Sequence, residues 1–220
     1  MLKAIIFDTE TTGLNAPEVI EAAWLELTSL SPLMLGEQFE QRYKPSKPIG
    51  IAALATHHIL DEELVDCPAS STFKLPKGLE YLIGHNVDFD WAVAGSPDVR
   101  RICTLSLARA VWPELEAHNQ SALLYYFDRA NAKARLRNAH SAGADIRICA
   151  TILEHICEKL QIDSLEALWE KSEASRIPSH MPFGKHKGLP IAEVPKDYVR
   201  WLLGQPDVDP YLRKALTGDR

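Results

Sequence analysis

The sequence predicts an α/β protein made of one full domain and a small appendage. Three observations carry that reading. The chain has 220 residues, enough for a domain with a sizeable core and some length to spare. Short apolar runs rich in β-branched residues alternate with longer stretches of helical periodicity. A polar stretch at residues 173–180 then reads as a linker, so the expected division is a main domain over 1–172 and a small module over 181–220.

Composition narrows the class. Apolar residues make up 46% and charged residues 25%, ordinary values for a soluble globular protein. No apolar run approaches the roughly 18 residues that a membrane span needs. Asp8 and Glu10 interrupt any apolar core of a signal peptide. Cys67, Cys103, Cys149 and Cys157 contain no Cys-x-x-Cys pair, so neither a zinc site nor a disulfide framework is expected, and reduced thiols in a cytoplasmic protein are. The net charge of −6 argues against a bulk electrostatic nucleic-acid binder. That objection weakens if several of the acids hold metal ions.

Taken in order, Lys3-Ala4-Ile5-Ile6 opens a buried strand that runs into Phe7-Asp8-Thr9-Glu10-Thr11-Thr12-Gly13. Val19–Leu30 reads as a second strand and Gly36–Tyr43 as a third, with a turn at Ser31-Pro32. Ile51–Ile59 and Asp61–Val65 read as short helices, the second capped by Asp61, with His57-His58 in a surface turn between them. Cys67–Pro76 reads as a loop and Tyr81–Gly84 as a strand. Asn86 is the expected cap of a helix running to Gly95, with Asp88 and Asp90 in its first turns. Arg101–Thr104 is a strand, followed by helices over Leu105–Val111 and Gln120–Phe127. The basic run Lys133, Arg135, Arg137 reads as a solvated face. Ile146, Cys149, Ala150, Leu153, Ile156, Cys157 and Leu160 recur at three and four residues, an amphipathic helix with Ser141 as its candidate cap. Met181–Ile191 reads as a tight basic hairpin with glycines at both shoulders, and a short helix follows Pro195.

The chemistry concentrates on five residues. In a strand, Asp8 and Glu10 project from one face while Thr9 points away. Two carboxylates held that close resist ionising, and a hard divalent cation with oxygen ligands removes the conflict. Asp90 at a strand-to-helix junction and Asp145 near the start of a helix add two more carboxylates. Five residues on a helix amount to about 140° of rotation, so His140 belongs in the loop before that helix, from where it reaches back over Asp145. Four carboxylates and one imidazole are what two-metal phosphodiester hydrolysis requires: ions about 3.5–4 Å apart clamp the attacking and leaving oxygens, and a neutral imidazole takes a proton from the attacking water.

At this point the sequence resembles a known group, the DEDDh 3′→5′ exonucleases, which include polymerase proofreading subunits and ribonuclease T. Phe7–Gly13 is similar to its first motif, His85-Asn86-x-x-Phe89-Asp90 to its second, and His140-x₄-Asp145 to its third. Thr56–Glu62 resembles a connecting segment, where Gly is more usual at the position of His58. The likeness extends to the bacterial exonuclease X group through Cys103–Pro113, Phe183-Gly184-Lys185-x-x-Gly188 and Tyr198-x-x-Trp201-Leu202. The resemblance implies a ribonuclease H-like mixed central sheet flanked by helices, and two Mg²⁺ ions for which Mn²⁺ substitutes. It implies that Asp8 bridges both ions, that Glu10 and Asp145 complete one shell, that Asp90 serves the second through water, and that His140 is the general base. Thr9, through its backbone, and Leu14 would contact the terminal nucleotide, and His85 and Asn86 are placed with substrate binding. Lys185 and Lys187, in a glycine-bounded loop, are expected to approach phosphate. The implied partner is the 3′ end of DNA, single-stranded or duplex, in DNA repair. No membrane is expected, and a homodimer is a further expectation. Two other readings stand beside it: an RNA 3′-end trimming relative, and a non-catalytic binding module of the same fold.

Overall fold

The computed structural model describes residues 3–138 and 140–218, apart from the side chain of Asn138. Two compact units meet in sequence at Ser172 and Glu173. In the first, β1 (Ala4–Thr11), β2 (Val19–Leu30) and β3 (Leu33–Arg42) form an antiparallel meander. The helix α1 (Ile51–His57) and 3₁₀ turns at Asp61–Leu64 and Ser70–Thr72 lead to β4 (Tyr81–Gly84), α2 (Asp88–Val93) and β5 (Arg100–Cys103). The sheet order is β3-β2-β1-β4-β5, with β4 parallel to both β1 and β5. It is the mixed sheet of the ribonuclease H-like class.

The alternation within β1 decides how the layers assemble. Ala4 and Ile6 face one core, with Ala23, Leu25, Ile83 and Ile102 of the sheet. That core is closed by α3 (Thr104–Val111), α4 (Gln120–Phe127), α5 (Arg129–Arg135) and α6 (Ala142–Leu160). Ile5 and Phe7 face a second core, with Tyr43, Leu82 and Val87, where the Phe7 and Phe73 rings stack at 6.0 Å. The apolar stripe of α6 is the one its spacing predicts, because Ile146, Cys149, Leu153 and Ile156 are all buried. Ser141 caps α6, accepting from the Ala144 amide at 3.3 Å.

Several local expectations are corrected. The turn over Asp61–Leu64 is 3₁₀, and Asp61 lies inside it, its carboxylate accepting from the Ile49 amide. Asn86 does not cap α2. It takes φ +78, and Val87 precedes the first helical residue. His57 is buried as the last residue of α1, while His58 follows at φ +59, the left-handed cap conformation in which Gly is favoured. The basic run, expected as a solvated face, lies in α5 and in the 3₁₀ turn Leu136–Asn138, where Lys133 and Arg137 are exposed. The first half of the stretch expected as a linker, 173–176, is helical in α7 (Leu165–Arg176), where the preceding Ser172 is buried and its hydroxyl accepts from the Cys103 amide.

The second unit has its own core of Met181, Val194, Leu202 and Leu212. The segment Met181–Ile191 is a compact loop closed by hydrogen bonds that the Met181 amide donates to the Leu189 carbonyl and the Gly188 amide to the Met181 carbonyl, with a single bridge between His180 and Pro190 in place of paired hairpin strands. It leads to α8 (Lys196–Leu203) and α9 (Pro210–Thr217). Asp209 caps α9 with Pro210 in its first turn, a start signal that the prolines around it concealed. Among the described residues, no helix is long and apolar enough to cross a membrane.

Candidate active site

β1 and α6 bring the first three carboxylates together. Asp8 and Glu10, two apart on β1, meet Asp145 in the first turn of α6, and one oxygen from each lies within 4.8 Å of the others. Asp90 arrives from α2. Because β4 runs parallel to β1, the chain leaving β4 emerges at the same end of the sheet as Asp8 and Glu10. Asp90 is 5% exposed, and its Oδ1 accepts from the Thr9 amide at 3.0 Å and the Thr9 hydroxyl at 2.7 Å. Asp88, two residues earlier, is exposed and bonds to Arg101 at 2.6 Å. The two acids of this helix therefore have different surroundings, one a surface ion pair and the other a buried group beside the cluster.

The electrostatics suit a cluster that could hold a cation. Burial and the carboxylates of Asp90, Asp145, Glu10 and Glu21 hold the Asp8 carboxyl well above its usual range. Burial, then Asp145, Glu21 and Asp90, push Glu10 up to about 9. Burial raises Asp90 to about 7, against the lowering effect of its two Thr9 bonds. Burial also raises Asp145, opposed by the His140 amide that donates to it. Hard oxygen donors crowded until they resist ionisation fit a divalent ion such as Mg²⁺ or Mn²⁺. A bound ion would restore the charged forms that the metal-free protein disfavours.

The sign of the pH dependence follows. A carboxylate whose folded-state pKa is raised stabilises the metal-free protein below its ordinary pKa, and that contribution is lost as pH climbs toward the folded value. For Asp90 and Glu10 the window runs from about pH 4 to about 7 and 9. Metal-free protein is expected to lose roughly 5 °C of melting temperature between pH 5 and pH 9. Millimolar Mg²⁺ is expected to restore more of it at pH 9 than at pH 5. Thermal melts in chelator and in Mg²⁺ check this, and a metal-free melting temperature that rises over that range would refute it.

Sequence reasoning missed Glu21. It lies opposite Glu10 across β1 and β2, at a register shift between the strands, and it is 2% exposed. Its Oε2 accepts from the Ala142 amide at 2.8 Å and its Oε1 from Arg42 Nε at 2.9 Å. One carboxylate thereby anchors the start of the helix that carries Asp145. The available signal was a charged residue inside the apolar run Val19-Ile20-Glu21-Ala22-Ala23. Glu21→Ala leaves the amide and Arg42 without their acceptor and is expected to cost about 2–4 kcal/mol in urea unfolding. Glu21→Gln keeps an acceptor and is expected to cost less than half as much.

Leu14 is 87% exposed and lines a cavity of ≈310 Å³ with Thr9, Glu10, Gly13, His57 and Phe89. Gly13 at φ +137 makes the turn that puts Leu14 there. The cavity adjoins the cluster through Glu10, which suits the expected place of a terminal nucleotide. The Thr9 backbone amide donates to Asp90 Oδ1. His85 is likewise engaged: its Nδ1 bonds with the Thr104 hydroxyl at 3.0 Å and its Nε2 with the His118 carbonyl at 2.8 Å. Burial drives its pKa down to about 4, so it ties α3 to the loop before α4 as a neutral ring. Asn86 is exposed. His140 is exposed in the turn before α6 at φ +67, with its amide donating to Asp145 Oδ1 at 3.3 Å. The expected loop position therefore holds, with the contact made by the backbone. Lys185 and Lys187 are exposed in the second unit.

A mixed sheet of this topology, with carboxylates from its central strand and two helix starts converging at one end, suits the 3′–5′ exonucleases of the proofreading and ribonuclease T type, hydrolases of phosphodiester bonds, and the family match shows that class here. Residues 5–153 match the exonuclease family, and the chain belongs to it. Among curated relatives, Exodeoxyribonuclease 10 of Escherichia coli K12 is 27% identical over 96% of both chains. The DNA polymerase III subunit epsilon of Pasteurella multocida is 28% identical over 68% of this chain and 66% of its own. A solved structure of exonuclease X in complex with 5′-overhanging duplex DNA superposes with a TM-score of 0.59 at 26% identity, covering 77% of this chain and 99% of that one. Exonuclease I, with a TM-score of 0.57 at 19% identity over 80% of this chain, shares the fold. Residues 173–206 separately resemble a family described as a quorum-sensing-regulated virulence factor.

Proposed function

We propose that this exonuclease acts on DNA, removing nucleoside monophosphates from 3′ ends with two divalent ions, Mg²⁺ in the cell, and that it serves DNA repair. The observation that supports it most is the convergence of Asp8, Glu10 and Asp145 oxygens within 4.8 Å, with Asp90 buried alongside. Asp8, central in the cluster, would bridge, Glu10 and Asp145 would complete one site, and Asp90 would serve the other. Ions held there supply charge stabilisation at the attacking and leaving oxygens. His140, exposed and tethered through its backbone to Asp145, takes the proton of the attacking water on its imidazole. Leu14 and the cavity beside Glu10 seat the terminal nucleotide. Residues 1–172 form the nuclease domain in this reading, and 181–220 a separate module. The choice of DNA follows the full-length likeness to an exodeoxyribonuclease.

The test is a panel of 5′-labelled single-stranded DNA, duplex DNA and RNA of one sequence, each with Mg²⁺ and with chelator. Faster shortening of the DNAs, lost in chelator, is expected. Preferential shortening of RNA would move the assignment to an RNA-trimming relative, and inertness on all three to a binding module.

A further inference from the structure

The second unit carries chemistry that the active site does not use. Residues 173–220 hold eight Lys and Arg against six Asp and Glu, whereas the rest of the chain is acidic enough to bring the total to −6. Two of the six acids are occupied: Glu173 accepts from the Tyr211 hydroxyl, and Asp209 caps α9. Lys185 and Lys187 are exposed and, among the described residues, neither forms an ion pair. They flank His186, whose ring packs on Tyr198 at 4.6 Å, and Tyr198 in turn lies 5.3 Å from Trp201. Trp201 is 56% exposed and Phe183 46%, both outside the apolar core of the unit. Gly184 holds the loop against α8: at φ +74 its backbone passes the Tyr198 hydroxyl so closely that a Cβ would sit 2.8 Å from it. The loop therefore delivers two lysines beside a ladder of rings.

We infer that the face formed by Phe183, Lys185, Lys187, Tyr198 and Trp201 binds a single-stranded polynucleotide. The lysines complement phosphates, and the exposed rings offer stacking surfaces to unpaired bases. The same chemistry serves DNA and RNA single strands. Stacking needs unpaired bases, so a fully paired duplex is excluded from the ring face. The inference rests on the exonuclease reading only in that the bound strand would belong to the same substrate.

The test uses full-length protein with Asp8→Asn, so that binding is read without cleavage. Fluorescence anisotropy follows a 20-nucleotide single-stranded DNA, its RNA counterpart, an abasic strand of equal length and a blunt duplex, over a range of salt. Trp201→Ala is expected to weaken binding of both single strands by roughly tenfold and to leave the abasic strand and duplex nearly unaffected. Lys185→Gln/Lys187→Gln is expected to flatten the salt dependence by about 1.4 units, roughly 0.7 for each lost contact to a single strand. All of these side chains are exposed, and an unchanged melting temperature confirms folding. Unchanged affinity and slope in both variants would overturn the inference, as would equal weakening toward duplex and single strand. A failure of the nuclease reading would look different: no cleavage by the parent enzyme, with these binding losses intact.

Discussion

Asp8→Ala is expected to bring hydrolysis below about one per cent of the parent rate at every Mg²⁺ concentration. Asp8 is the cluster member whose charge is opposed by all the others, Asp90, Asp145, Glu10 and Glu21. Its removal takes away the group proposed to bridge both ions, which no excess of metal replaces. The fold should survive, because β1 is held by Ile5, Ile6 and Phe7 on both faces of the sheet. Metal-free Asp8→Ala is expected to melt higher than the parent at pH 8, where one repelling carboxylate is gone. The measurement pairs a 5′-labelled oligonucleotide assay with thermal melts. Turnover of several per cent would rule out the bridging role.

His140→Ala is expected to lower the rate by roughly 10²–10⁴-fold, the contribution of a positioned general base. Its backbone amide, not its ring, bonds to Asp145, so the substitution keeps that contact. Mn²⁺ binding should therefore persist while the chemical step slows. Single-turnover rates at saturating metal, beside calorimetry with Mn²⁺, separate the two effects. Loss of Mn²⁺ binding in this variant would place the imidazole among the ligands.

What was legible in the sequence follows the physics of each element. The long helix α6 was readable because its burial imposes a period that Ile146–Leu160 carries, and Val19–Leu30 because a long run rich in apolar residues suits a strand buried along most of its length. Asp8, Glu10 and Asp145 were readable because strand and helix geometry fix their directions. Less accessible were features set by tertiary partners. Glu21 looks like one residue of a strand until the Ala142 amide and Arg42 are seen around it. The bonds of the two His85 ring nitrogens to Thr104 and His118 have no local signal either. Helix ends were misplaced at Asn86 and Asp61, where a capping residue type was present but the backbone had another use for it. The basic run in α5 lacked a strong apolar stripe, and α7 runs through polar residues, with Ser172 buried and accepting from the Cys103 amide.

The most direct test of the central claim, that Asp8, Glu10 and Asp145 form a divalent-cation centre, is a calorimetric titration of metal-free protein with Mn²⁺ at pH 7 in two buffers of different ionisation enthalpy. The pair of buffers yields both binding and the protons it releases. The raised carboxylate pKa values predict that Mn²⁺ binds with release of protons, and that Asp8→Asn loses the binding and the release together. Mn²⁺ binding that is unaltered in Asp8→Asn, or that releases no protons, would contradict the account.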